Sequence, residues 1–135
     1  MSTSGVRFPA RFDPDAWETD LARSTPAGRA AAENAKRDYA KNGVPREHLQ
    51  ACDPEGRDGT RLPHCVKAYV PHPDGRFGMV FEWVIHPTGP RLRYLAFGVR
   101  HHPKGSHALT VYEIAHARLI EIIAKDLRGE DPDTP

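Results

Sequence analysis

The sequence has few cysteines, no long apolar run and almost no net charge. Its two cysteines, Cys52 and Cys65, are too few for a disulfide framework and are expected to be reduced thiols. The longest unbroken apolar run covers only residues 94–97, which excludes a membrane-spanning helix. The first residues lack the charged-then-apolar pattern of a secretory leader, so we expect a cytoplasmic protein.

The net charge of +1 conceals an uneven distribution of charged side chains along the chain. Residues 1–58 hold 9 basic and 10 acidic side chains, residues 59–118 hold 8 and 3, and residues 119–135 hold 2 and 5. Seven of the 8 histidines also lie in the middle block. A basic middle block between acidic flanks favours a surface that binds anions, although a solvated surface with chance clustering is the alternative.

A chain of 135 residues predicts one domain, residues 1–135, with an ordered core at about 6–127 and a polar tail at 128–135. The alternation in residues 6–12 predicts a short edge strand, because Pro9 excludes a central one. Helices are predicted at 14–23 and 26–41. Each begins with a capping residue followed by proline, and the second ends at Asn42-Gly43.

The second half of the chain predicts strands near 64–71, 76–86 and 91–100, and residues 44–63 are turn-rich. The turn between the first two of these strands, His72–Gly75, favours a hairpin. We therefore expect an α+β fold. Its antiparallel sheet combines the edge strand with a three-stranded meander, one sheet face is covered by helices, and a last helix follows.

The last helix has a complete start signal in the sequence. Thr110 and Glu113 have the spacing of a capping box, and Leu109 and Ile114 occupy the positions of a hydrophobic staple. Helical spacing then predicts a core-facing stripe of Val111, Ile114, Ala115, Leu119, Ile122, Ile123 and Leu127.

Residues 98–105, at the end of the third meander strand, could carry chemistry. Cationic side chains and free N–H groups at a strand end beside a helix start suit a phosphate, and arginine matches two phosphate oxygens. A basic surface loop is the plain alternative. A metal site on His101, His102 and His107, with Cys65 or His64, is a weaker one because no HExxH or CxxC spacing supports it.

Four segments together resemble the C-terminal half of the RelE-type toxins, in the RelE/ParE superfamily of bacterial toxin–antitoxin systems. They are Leu62–Lys67, Gly75–Phe81, Phe97–Arg100 and Val111–Glu113. The family has the order strand, two helices, three antiparallel strands and a final helix, which is the order predicted above. The resemblance covers about residues 62–119.

This resemblance implies a metal-independent endoribonuclease that cuts mRNA at the ribosome, needs no cofactor and binds a cognate antitoxin protein. By position, Lys67, Arg100 and Tyr112 would be catalytic, with Arg100 stabilising the transition state and Tyr112 stacking on a base or moving a proton. We expect these three to converge on one concave patch beside the N-terminus of the last helix. Further contacts to RNA or its phosphates would come from Arg76, His101, His102, Lys104 and His116.

The chain departs from the family pattern at two positions and leaves two other functions open. Gly78 stands where the family often has an arginine, and Tyr69 stands where a second lysine is common. One alternative is a non-catalytic ParE-like toxin that inhibits DNA gyrase through protein contacts. The other is an RNA-binding or scaffold protein on the same fold that has lost cleavage.

Overall fold

The computed structural model describes residues 6–53, 61–72, 75–102 and 108–129, which form a mixed α+β fold. Its strands are β1 (Arg7–Phe8), β2 (Ala10–Arg11), β3 (Val44–Pro45), β4 (Leu49–Ala51), β5 (Cys65–Tyr69), β6 (Phe77–His86) and β7 (Gly89–Val99). Its helices are α1 (Pro14–Arg23), α2 (Pro26–Asn42) and α3 (Val111–Leu127), and a short 3-10 helix spans Arg46–His48. No helix within these ranges is long and apolar enough to cross a bilayer.

The first two helices begin at the predicted caps. The Asp13 carboxylate accepts the Ala16 N–H at 2.9 Å, and the Thr25 hydroxyl oxygen accepts the Gly28 N–H at 3.1 Å. Both bonds satisfy N–H groups that have no partner within the helix. After α2, Gly43 takes a φ of +81°, a conformation that favours glycine. Both predicted helices are confirmed.

The capping box of α3 is also confirmed. The Thr110 hydroxyl oxygen accepts the Glu113 N–H at 3.3 Å, and the Glu113 carboxylate accepts the Thr110 N–H at 3.0 Å. Leu109, the expected first partner of the hydrophobic staple, is exposed. The start of α3 is therefore held by its polar caps.

The main sheet has five strands in the order β2-β7-β6-β5-β4. Strands β5, β6 and β7 are antiparallel neighbours, which confirms the predicted meander. Strand β4 adds an antiparallel edge to β5, a strand that the turn-rich interpretation of residues 44–63 does not include. A strand of three residues has too little alternation to be read from sequence, and its pairing with β5 is non-local.

The predicted N-terminal edge strand is divided at Pro9 into two pieces that join different sheets. Strand β2 pairs in parallel with β7, whereas β1 pairs with β3 in a separate two-stranded sheet. Because proline has no N–H to donate to a ladder, the chain changes partners there. The main sheet is therefore mixed rather than wholly antiparallel.

Helices cover both faces of the main sheet, so the expectation of one covered face is wrong. The helices α1 and α2 pack on one face with a core that includes Trp17, Tyr39, Phe81 and Tyr94. Helix α3 packs on the other face with a second core around Leu62, Val80, Leu95, Val111 and Leu119. Both faces are apolar because consecutive residues in parts of β6 and β7, such as Val80 and Phe81, are buried and project to opposite faces.

The C-terminal half of α3 departs from the predicted core stripe. Its buried residues all lie between Val111 and Leu119. Ile123 and Leu127, predicted to face the core, are 46% and 82% exposed. Helical spacing identifies one face of a helix, but it does not show how far along that face the sheet extends.

Candidate functional site

The three predicted catalytic residues lie together with a fourth side chain, Tyr69. The Lys67 ammonium nitrogen is 5.2 Å from the centre of the Tyr112 ring and 5.9 Å from that of Tyr69. The central guanidinium carbon of Arg100 is 3.9 Å from the centre of the Tyr69 ring. We call Lys67, Tyr69, Arg100 and Tyr112 the cation–tyrosine cluster.

Three elements bring this cluster together. Lys67 and Tyr69 are two positions apart on β5 and therefore share a sheet face, the one that α3 covers. Arg100 directly follows β7, where its N–H donates to the carbonyl of Arg76 at 2.8 Å. Tyr112 lies in the first turn of α3, which the capping box holds in place. The strand end and the helix start thus meet as the sequence predicts.

Gly78 provides the space that Arg100 uses. It pairs with Tyr69 on β5, and a Cβ atom added to it would lie 3.1 Å from Cγ of Arg100. That distance is tighter than ordinary van der Waals contact, so a side chain here would displace the aliphatic stem of Arg100. Gly78 is therefore matched to the path of Arg100 across the sheet.

The Arg100 guanidinium is held by few bonds. Its Nη1 donates to the Gly75 carbonyl at 2.7 Å. Its Nε is buried and has no hydrogen-bond partner among the described residues. A buried donor without a partner costs about 1–3 kcal/mol, and the face of the Tyr69 ring offsets part of this because it attracts a cation.

The basic block divides into paired and unpaired cations. Arg93 forms an ion pair with Glu82 at 2.6 Å, and Arg118 forms one with Asp20 at 2.6 Å. Neither Lys67 nor Arg100 forms an ion pair within the described ranges. Among the residues that the structure describes, no carboxylate therefore neutralises the positive charge of the cation–tyrosine cluster, and that charge can attract an anion.

The three histidines predicted to contact RNA differ in their partners. Nε2 of His102 lies 2.9 Å from the Leu109 carbonyl, and Nδ1 of His116 lies 2.8 Å from the Arg61 carbonyl. Because a carbonyl only accepts, these nitrogens carry the protons. The exposed ring of His101 is centred 6.3 Å from that of Tyr112.

Two further predicted contacts fall at the margins of the site. Arg76 is exposed beside Arg100, to which it offers only its backbone carbonyl among the described contacts. Lys104 lies outside the described residues.

The metal alternative gains no support from the described ranges. No group of three His, Cys, Asp or Glu side chains there could hold a metal ion. His107, one of the ligands considered, lies outside those ranges.

A buried carboxylate that sequence reasoning missed lies at the other edge of β7. Asp20, 1% exposed, accepts hydrogen bonds from the Tyr94 hydroxyl, from the Phe97 N–H at 3.0 Å and from both Arg118 terminal nitrogens at 2.6 and 2.7 Å. Arg118 also donates to the Leu95 carbonyl at 2.7 Å. We call Asp20, Tyr94 and Arg118 the Asp20 cluster. It satisfies the backbone of β7 beyond the short stretch that β2 covers.

In the Asp20 cluster, the charges of Asp20 and Arg118 compensate each other. Burial raises the pKa of Tyr94 well above its ordinary value, and the negative charge of Asp20 raises it further. Burial would lower the pKa of Arg118, but its bonds to Asp20 and the charge of Asp20 outweigh burial and raise it. A sequence signal existed, since Asp20 shares the helical face of Trp17 and Leu21 in α1.

Comparison of the chain with models of known protein families, with curated proteins and with solved structures finds no significant match.

Proposed function

We propose that this chain is a RelE-type toxin that cleaves mRNA at the ribosome without a metal ion. The observation that carries the proposal is the cation–tyrosine cluster itself. Two cations that have no carboxylate partner within the described part of the chain lie beside two tyrosine rings at the capped start of α3. Cations suit the phosphates of RNA, and aromatic rings suit its bases.

The proposed reaction is attack of an RNA 2′-oxygen on its own 3′-phosphate. The P–O bond to the next nucleotide breaks, leaving a 2′,3′-cyclic phosphate and a 5′-hydroxyl. Negative charge accumulates on the phosphate oxygens in the transition state. Arg100 would bind those oxygens, assisted by Lys67, and so lower the barrier.

The reaction also needs a base for the 2′-hydroxyl proton and an acid for the leaving 5′-oxygen. His101 is the best placed of the three predicted histidines, because its exposed ring lies next to Tyr112 while His102 and His116 each donate to a backbone carbonyl. Tyr112 would stack on a base or transfer the second proton.

The proposed partner is an acidic antitoxin protein that covers the cation–tyrosine cluster. Its carboxylates would neutralise Lys67 and Arg100, which lack such partners among the described residues. Binding of this kind weakens as salt rises, because exposed charges are screened over about 10 Å at 0.1 M ionic strength. Co-purification with the product of the adjacent gene at low salt, and release at high salt, is the expected result.

The test is induced expression of the chain followed by mapping of new 5′-hydroxyl ends on cellular mRNA. We expect Arg100→Ala to lower cleavage about a hundredfold, as loss of one oxyanion-type donor does. The matched control is Arg91→Ala, since Arg91 is an exposed arginine near the opposite end of β7. Cleavage that is unchanged in Arg100→Ala would refute the proposal.

A second candidate, RNA binding without cleavage, is favoured by Gly78. The middle strand β6 supplies no cation at this position, so the cluster has one cation fewer than the family pattern. If the wild-type chain binds RNA in a salt-dependent manner and produces no new ends, this candidate replaces the first.

A further inference from the structure

The two cysteines lie opposite each other at the end of the β4–β5 ladder. The last register pair is Ala51 with Val66. At the next position, Cys52 lies opposite Cys65, and the Cys52 N–H donates to the Cys65 carbonyl at 3.0 Å. Directly opposite residues of an antiparallel pair project from the same face, with Cβ atoms about 4.5–5.5 Å apart. The two thiols are therefore cross-strand neighbours.

Both thiols are buried in the core beneath α3. Cys52 and Cys65 are 7% and 4% exposed, and both belong to the core that contains Leu62 and Val111. The Cys65 thiol donates to the Pro63 carbonyl at 3.3 Å. Burial raises the pKa of Cys52 to about 11, against the opposing charge of Lys67, and burial raises that of Cys65 to about 12. The resting pair is therefore two protonated thiols.

We propose that Cys52 and Cys65 are a redox-sensitive pair that forms a reversible intramolecular disulfide when the oxidant is a small-molecule disulfide such as glutathione disulfide. The Cys52 thiolate attacks one sulfur of the oxidant and releases one glutathione. The Cys65 thiolate then attacks the Cys52 sulfur of the mixed disulfide and releases the second. The two cysteines lose two electrons and two protons, and the oxidant is reduced to two glutathione thiols.

The strand positions explain how the oxidant reaches Cys52 and why the disulfide can be reduced again. Cys52 follows β4, an edge strand of three residues, so local separation of β4 from β5 would expose this thiol while β5, β6 and β7 stay paired. Opposite residues joined by hydrogen bonds have Cα atoms about 5.5 Å apart, within the range that a disulfide spans. The Cβ atoms must nevertheless approach to about 3.8 Å, and a bond strained in this way is readily reduced.

The bond would tie β4 to the strand that carries half of the cation–tyrosine cluster. Lys67 and Tyr69 follow Cys65 on β5, and Lys67 pairs with Gln50 on β4. This consequence is structural, and it holds whether or not the chain cleaves RNA.

The experiment incubates the purified full chain with glutathione disulfide and then measures its intact mass and its cysteine-containing peptides. We expect the loss of two hydrogens, one Cys52–Cys65 peptide pair, and full reversal by dithiothreitol. The cross-linked chain should melt roughly 5–10 °C higher, because the bond closes a loop of moderate length. Cys52→Ser and Cys65→Ser should each abolish both changes.

Circular dichroism of the two variants serves as the folding control, and Cys52→Ala and Cys65→Ala replace any serine variant that fails to fold. Three results would overturn the proposal: a folded wild-type chain that keeps both thiols, one that stops at a glutathione adduct, or one that forms only intermolecular bonds. A denatured sample that cross-links under the same conditions would show that the oxidant itself is competent.

Discussion

The strand β7 contributes to two clusters that both contain arginine and tyrosine but differ in whether a buried carboxylate is present. In the Asp20 cluster, an arginine and a tyrosine both bind a buried carboxylate. In the cation–tyrosine cluster, an arginine and a lysine lie against two tyrosine rings. No ion pair reaches these two cations among the described residues.

The carboxylate decides which cluster can bind a ligand. Arg118 is fully engaged by Asp20 and by the Leu95 carbonyl, so it holds α1 and α3 to the edge of β7. Among the described residues, the Arg100 guanidinium donates to the Gly75 carbonyl and lies against the Tyr69 ring. Removing the first cluster should therefore change stability, whereas removing the second should change binding.

The largest expected effect is that of Asp20→Ala on stability. The substitution leaves Arg118 half-buried without its carboxylate and leaves the Phe97 N–H and the Tyr94 hydroxyl without an acceptor. Breaking a buried ion pair from one side costs about 3–5 kcal/mol. Urea denaturation should therefore show a large fall in the free energy of unfolding.

The control for this prediction is Asp38→Ala. Asp38 pairs with Arg7 at 3.5 Å on the surface, and exposed pairs of this kind contribute about 0–1 kcal/mol. If both variants lose the same small amount, Asp20 is not the anchor that its burial suggests.

Tyr94→Phe should have the next largest effect, and that effect should depend on pH. The variant loses a hydrogen bond to a charged group, which contributes about 1.5–3 kcal/mol. The pKa of Tyr94 is raised in the folded chain, so only the unfolded chain releases this proton as the pH passes about 10. Wild-type stability should be constant with respect to this group below pH 10 and should fall above it.

Denaturation at several pH values between about 8 and 11 measures this slope. Tyr94→Phe should reduce it and leave a remainder, because burial also raises the pKa of Tyr39 to about 12 and those of Cys52 and Cys65 to about 11 and 12. An alkaline slope that is identical in wild type and variant would show that Tyr94 does not remain protonated in the folded chain.

For the other cluster, Tyr112→Ala should weaken RNA binding and lower the free energy of unfolding by less than Tyr94→Phe does, because the Tyr112 ring is half-buried against the core beneath α3. Stacking of one base on an aromatic ring contributes about 1–3 kcal/mol. Tyr112→Phe keeps the ring and removes the hydroxyl, so it separates the two roles proposed for this residue. Binding retained with cleavage lost would assign proton transfer to Tyr112, and both retained would assign stacking. A loss of stability in Tyr112→Ala as large as that in Tyr94→Phe would remove the distinction between the clusters.

The two clusters also differ in how much of each could be predicted from the sequence. Caps are local, so Thr25 and Thr110 identify the starts of their helices within a few residues. Alternation along β5 places Lys67 and Tyr69 on one face, and the strand end and helix start bring in Arg100 and Tyr112. The family resemblance selects Lys67, Arg100 and Tyr112, and the strand and helix pattern predicts that they converge, although Tyr69 is left out of the candidate set.

The Asp20 cluster could not be assembled in this way. Its contacts to Tyr94 and Arg118 join residues 74 and 98 positions apart, and no local pattern specifies them. What the sequence does contain is a charge within an apolar stripe on each of two helices. Arg118 lies four positions after Ile114, and Asp20 lies three positions after Trp17, so each charge shares the helical face of an apolar residue. Opposite charges at two such core positions predict a buried ion pair.

The smallest expected effect comes from Thr110→Ala, which sharpens the comparison because α3 carries a member of each cluster. Loss of this N-cap should cost about 1 kcal/mol and fray the first turn, where Tyr112 lies. Arg118 lies two turns further on and remains anchored by Asp20. Hydrogen exchange should therefore become faster at Glu113, whose N–H bonds to the cap, and stay slow at Phe97, whose N–H bonds to Asp20. Thr110→Ser, which keeps the hydroxyl, should resemble the wild type. Equal loss of protection at both amides would mean that α3 opens as one unit and that the two clusters are not independent.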